Sequence, residues 1–161
     1  MQELRPTADA HVSRSRRSSN YGRARTLRVD QSPLNRAYLR FQLSGIDVEQ
    51  VEKAELRVYV MESSNRGFDV RAVDDDTWKE NSIRYSNAPK SGDVIARWRE
   101  RTSSGKWITM DITSYVVSQG GDNDDNEAVS IVLTGGSSNG FDVASKERGE
   151  SRAPRLVITF K

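Results

Sequence analysis

The chain has 161 residues, 35% of them hydrophobic and 30% charged, with a formal net charge of +2. That length fits one domain with a sizeable core, and no apolar run approaches the roughly 20 residues of a membrane span. With no cysteine and a single histidine, His11, disulfides, thiolate metal sites and two-histidine zinc chemistry are excluded.

Short alternating apolar runs mark strands along the whole chain. The first two, His11–Arg14 and Thr26–Asp30, flank a loop rich in Ser, Asn and Gly. Ala37–Leu43 alternates, with Leu39, Phe41 and Leu43 on one face and Tyr38, Arg40 and Gln42 on the other. Ala54–Met61 does the same, with Leu56, Val58 and Val60 inward. Further strands are expected at Phe68–Val73, Val94–Trp98, Trp107–Ile112, Val129–Leu133, Phe141–Ala144 and Arg155–Phe160. Turn signals separate them, such as Ser44-Gly45, Asn65-Arg66-Gly67 and Ser103-Ser104-Gly105. One short helix is expected at Thr113–Gln119, capped by Thr113 or Ser114 and ended by Gly120-Gly121. About ten short strands with no βαβ pattern predict an all-β, antiparallel β-sandwich of jelly-roll topology, one domain over residues 1–161.

One internal echo links Ser63–Val70 to Ser137–Val143. Each reads as a turn feeding a strand, through similar hairpin chemistry or quasi-equivalent places in a double Greek key. Catalytic signatures are sparse: there is no Walker loop or dinucleotide fingerprint. The expectation is a protein that is not an enzyme. The acidic run Asp122–Glu127 fails the EF-hand spacing, with Glu127 where glycine is needed and Leu133 where glutamate is needed. It reads as a solvated loop, and no cofactor is predicted. Trp78, Trp98 and Trp107 could each stack on a sugar, but their places favour core and loop packing.

The strongest local signal is charge. From Val12 to Phe41 stand Arg14, Arg16, Arg17, Arg23, Arg25, Arg28, Arg36 and Arg40 against one acid, Asp30. A guanidinium fork bonds two oxygens of a carboxylate, sulfate or phosphate at once. Arg28 alternates with Leu27 and Val29, while Arg36, Tyr38 and Arg40 share a face. If the two strands share a sheet, these four residues form an outward strip. Arg23 and Arg25 extend it from the loop, and Arg14 and Arg16 join if the first strand lies beside the second. On that geometry, replacing Arg28 and Arg40 by alanine weakens polyanion binding and leaves the fold intact. The competing reading is a solvated face with local acidic partners.

An ordered set of blocks, among them Asp9-Ala10-His11-Val12, Asn20-Tyr21-Gly22, Thr26-Leu27-Arg28-Val29, Ala37-Tyr38-Leu39-Arg40-Phe41, Lys53–Tyr59, Thr77-Trp78-Lys79-Glu80, Asn87-Ala88-Pro89 and Pro154-Arg155-Leu156, resembles the DNRLRE-type domain over nearly the whole chain. The resemblance implies a jelly-roll module of secreted polysaccharide lyases and bacterial or archaeal surface proteins, with relatives that bind alginate through basic side chains. It carries the basic character onto Arg23, Arg25, Arg28, Arg36 and Arg40. Gln42 departs from the family's usual acid, and Ser145-Lys146-Glu147 from its Ser-Arg-Glu.

The expected function is a non-catalytic module binding an acidic polysaccharide, alginate-like first, through Arg14, Arg16, Arg23, Arg25, Arg28, Arg36 and Arg40. Tyr38 or Tyr21 would lie against a sugar ring. The alternative is a structural or adhesive surface domain with no glycan site. Nucleic acid is not an expected partner, since acidic loops oppose it and no known motif supports it. The expected setting is a secreted or cell-surface multidomain protein, although no leader is read in this chain.

Overall fold

The computed structural model describes residues 1–32, 34–120, 128–135 and 140–161. Among the described residues there are eleven strands: β1 (Gln2–Leu4), β2 (Ala8–Ser13), β3 (Thr26–Gln31), β4 (Leu34–Gln42), β5 (Val51–Glu62), β6 (Phe68–Val73), β7 (Val94–Trp98), β8 (Trp107–Asp111), β9 (Ala128–Gly135), β10 (Phe141–Ala144) and β11 (Arg155–Phe160). One α-helix, α1 (Thr113–Gly120), and two single 3-10 turns complete the order. The expected strands at Phe68–Val73, Val94–Trp98, Phe141–Ala144 and Arg155–Phe160 are found with those limits. β1, which pairs with β11 from Gln2↔Ile158 to Leu4↔Leu156, was not expected.

The strands join in one antiparallel ladder, β1-β11-β5-β10-β3-β4-β9-β6-β7, with β2 on β4 and β8 on β5. Between β3 and β4 only Asp30↔Asn35 and Gln31↔Leu34 are paired. The ladder turns over there and becomes two layers. One layer is β2-β4-β9-β6-β7; the other holds β3, β10, β5, β8, β11 and β1. Leu39, Phe41, Ile131, Leu133, Phe68 and Val70 from the first meet Leu27, Leu56, Val58, Ile108, Phe141 and Leu156 from the second in one core. This is the sandwich that the alternation predicts. The two echoed segments meet inside it: the rings of Phe68 and Phe141 lie 4.9 Å apart. Residues 137–139 of that echo lie outside the described residues.

Within the first layer, β2 and β9 are buried on both faces. β2 has no exposed residue and β9 only two half-buried ones at its end. The layer's outer face carries Ala8, Ala10, Val12, Tyr38, Val73 and Val132, and these form a second cluster with Trp78 and Ile83. Residues 74–93, between β6 and β7, make the cover. So long a segment without regular structure is uncommon in a compact domain, and here side-chain bonds fix it. Trp78 Nε1 donates to Ser130 Oγ at 3.1 Å, and Tyr38 Oη donates to the Pro89 carbonyl at 2.7 Å. Asn20 Nδ2 donates to the carbonyls of Glu80 and Ile83 at 2.8 and 2.7 Å. Gly22 lies so close that a Cβ would stand 2.1 Å from the Glu80 carbonyl oxygen.

Two of the three tryptophans take the packing roles expected. Trp78 is buried in the cover, and Trp98 packs half-buried on the core. Trp107 differs: Ile108 and Met110 take the inward positions of β8, and Trp107 points out.

Candidate functional site

The expected strip of arginines is not formed. Arg28 does face outward, but on β3, which pairs with β10, whereas Arg36 and Arg40 stand on β4 in the opposite layer. Arg28 is held by Asp142 at 3.1 Å, Glu62 at 3.3 Å and Asp30 at 3.5 Å. Burial works against its charge, yet the hydrogen bond and charge of Asp142, aided by Glu62 and Asp30, leave its pKa above the ordinary value. Such a guanidinium has spent its fork inside the protein.

Arg36, Tyr38 and Arg40 share the outer face of β4, as period two requires. That face is the covered one. Tyr38 is fully buried, with its ring 5.9 Å from that of Trp78. It cannot lie against a sugar without the cover being lifted. Arg40 Nη1 donates to the carbonyls of Asp76 (3.0 Å) and Trp78, with its guanidinium 4.8 Å from the centre of the Trp78 ring. It pins the cover to the sheet.

Tyr21, the other expected ring, is half-buried and stacks on His11 at 4.3 Å. Burial pushes His11 down to about 4, with Asp142 and the Thr26 backbone pulling the other way. It is an uncharged strand histidine at neutral pH. Its neighbour Asp9 is also buried, and burial pushes its carboxyl up to about 7 although the Lys146 backbone N–H donates to it at 2.7 Å.

The remaining arginines are open. Arg14, Arg16, Arg17, Arg23 and Arg25 are all exposed. β2 pairs with β4 and not with β3, so Arg14 and Arg16 follow the end of β2 beside the start of β4, where Arg14 N–H donates to Leu34 O at 2.8 Å. Arg17 and Arg36 come together, with their guanidinium carbons 5.1 and 5.3 Å from the ring centre of Tyr85, a residue of the cover. Among the described residues neither is ion-paired with a carboxylate, and Arg36 Nε is buried without a hydrogen-bond partner. Cations over an aromatic face are held in place without losing their capacity for anions. Arg23 and Arg25 lie further round, where Arg148 Nε and Ser145 N–H donate to the Arg25 carbonyl at 3.3 and 3.2 Å. Tyr85 was missed because it sits in a loop, with no periodicity to assign it a face.

Among the described residues no group of three or more His, Asp or Glu is placed to hold a metal. The acidic run Asp122–Glu127 lies outside the described residues. No described helix is long and apolar enough to cross a membrane.

The described residues thus form a two-layer antiparallel sandwich with open guanidinium groups on its surface. The chain belongs to carbohydrate-binding module family 96, whose model matches residues 1–160. A gellan lyase from Bacillus sp is 24% identical over 166 aligned residues. That alignment takes in 99% of this chain and 7% of the lyase, so the chain spans a small part of its relative's length.

Proposed function

We propose that this domain is a non-catalytic module that binds an acidic polysaccharide, with Arg17 and Arg36 on Tyr85 as the centre of its contact. The observation that carries the reading is that pair of guanidiniums, ordered by one ring and unmatched by any carboxylate among the described residues. Arg14 and Arg16 extend the contact along the same layer, and Arg23 and Arg25 add exposed charge beyond it. Arg28, Tyr38 and Arg40 have internal partners and serve the fold. Uronate carboxylates suit the arginine fork. Family membership supports a glycan, the likeness to DNRLRE-type domains supports alginate, and the lyase relative adds gellan to the ligands worth testing. A secreted or cell-surface multidomain protein is the setting such a module fits.

Affinity electrophoresis in gels containing alginate, pectin, gellan or a neutral glucan tests this. The expected result is retardation by one or more acidic gels. It should weaken as salt rises, because exposed ion pairs are screened over about 10 Å at 0.1 M, and it should weaken in Arg17→Ala/Arg36→Ala. Retardation by the neutral glucan alone would overturn the proposal. Self-association with no glycan binding would point to a structural or adhesive domain.

A further inference from the structure

We infer that the domain carries a second binding face for acidic glycan chains, centred on Trp107 and Tyr59 on the outer side of the other layer. This rests on the proposed binding of acidic polysaccharide and adds a site to it.

Register alone brings the face together. Tyr59 on β5 is paired with Trp107 on β8, and Arg57 lies between Thr109 on β8 and Arg155 on β11. All of these point away from the core, whose side is taken by Leu56, Val58, Ile108 and Leu156. Apart from Met1, Trp107 is the exposed large apolar side chain among the described residues, at 36%. With its strand neighbours Ile108 and Met110 buried, this indole stands outside the core, and its exposed part can meet a flat, C–H-rich sugar face.

Arginines surround it. The Arg155 guanidinium lies 4.5 Å from the Trp107 ring centre and that of Arg152 lies 4.2 Å from the Tyr59 ring centre, while the two rings meet edge-on at 5.3 Å. Arg57 has no ion pair among the described residues, and its buried Nε has no hydrogen-bond partner. One carboxylate, Glu3, is shared by Arg5 at 3.4 Å and Arg155 at 3.6 Å. Burial and the nearby Arg5 and Arg57 hold the Arg155 pKa below its ordinary value, with Glu3 pulling the other way. Near the rings four arginines face that one acid, and further along the same face Lys53 pairs with Glu55 at 3.4 Å while Asp111 stands opposite Glu55, so the face as a whole keeps an excess of positive charge.

The strands also lead to a polar hollow. Just past Tyr59 on β5 and just before Trp107 on β8, the loops close round a cavity of about 380 Å³ lined by Ser63, Arg101, Thr102, Ser103 and Ser104. Small-ligand sites run from about 300 to 1,000 Å³. Hydroxyls beside an aromatic pair suit a chain that bears both hydroxyls and carboxylates. Rings flanked by arginine at one end and hydroxyls at the other match an extended uronate chain, with a sugar on the exposed part of the indole and its carboxylates on Arg57 and Arg152.

The Arg17–Tyr85–Arg36 contact lies on the outside of the first layer, so the two faces look in opposite directions. One domain would then hold two chains. Calorimetric titration with size-defined oligouronates, from alginate and from pectin, measures this in the wild type, Trp107→Ala, Arg57→Ala/Arg152→Ala and Arg17→Ala/Arg36→Ala. The expected stoichiometry is two oligomers per domain, falling to one in each variant set, with affinity at the altered face reduced by about tenfold or more, as for loss of a central contact. A wild-type stoichiometry of one that is unchanged by Trp107→Ala overturns the inference and leaves the proposed function standing. Absence of binding to any acidic oligomer overturns both. Should Trp107→Ala fold poorly, protection of Trp107 from N-bromosuccinimide in the wild type replaces it: saturating oligouronate should slow the modification severalfold, and an unchanged rate overturns the face.

Discussion

Asp9 and His11 stand two residues apart on β2, and their ionisation runs in opposite senses. Asp9 is raised from 3.8 to about 7, first by burial and then, against the Lys146 backbone bond, by Glu80 and Glu147. Its folded form keeps a proton that the unfolded chain has lost, so this group's stabilisation declines as pH climbs from about 4 to 7. His11 is lowered from 6.5 to about 4 by burial, despite Asp142. The unfolded chain binds the extra proton, so its stabilisation is present above 6.5 and is lost as pH falls toward 4. Between those limits the two slopes oppose each other. Asp9→Asn, whose amide oxygen can still accept from Lys146, removes one of them. Denaturant melts should show the variant gaining stability over the wild type at pH 8. From pH 6.5 to 4 it should lose stability faster than the wild type, by at most about 1.4 kcal/mol per pH unit. Parallel curves for the two proteins would refute the assignment.

The cover over residues 74–93 is the element that separates what was legible in the sequence from what was not. Alternation placed Tyr38 and Arg40 on the face of β4 opposite Leu39 and Phe41, and they are there. Alternation carries no information about what lies on that face, and a long loop folded back over it hides its own apolar anchors, Trp78 and Ile83, among polar residues. The expectation that Arg28 and Arg40 can be removed without harm to the fold rested on both being free, and the Arg40 guanidinium bonds two carbonyls of the cover. Hydrogen bonds to a charged group contribute about 1.5–3 kcal/mol. Arg40→Ala should lower stability by about that much, and Arg40→Lys should restore little of it, because an ammonium lacks the planar fork. Gly22→Ala presses on the same cover from its far side, where the new Cβ would collide with the Glu80 carbonyl. Hydrogen exchange should then quicken for the amides of Ile83 and Ser86, which are bonded to Lys79 and Arg17, and unchanged exchange would show that the cover is held elsewhere.

At the scale of the whole molecule, the all-β sandwich was legible because strands such as β5 write a period-two pattern, as in Leu56, Val58 and Val60. Which strands share a layer was not. The change of layer occurs at the two residue pairs that join β3 to β4, and nothing in Thr26–Gln42 marks it, so Arg28 and Arg36 read as neighbours when they belong to opposite layers. The outward turn of Trp107 could have been read from Ile108 and Met110, had its parity been weighed above its apolar character.

The pairing of β1 with β11 has a mechanical side. Gln2 lies opposite Ile158, so the two ends of this segment leave the sandwich at the same place, pointing the same way along one ladder. A force that draws those ends apart loads the hydrogen bonds of that ladder in turn, one after another, as in opening a zip, and never all together as in shear. β1 offers three residue pairs to resist it. Pulled by its ends in an optical trap, the domain should release β1 at low force before the core of the sandwich yields. A single high-force rupture with no earlier step would contradict this. Under that load a short length of chain is released while the two-layer core stays closed.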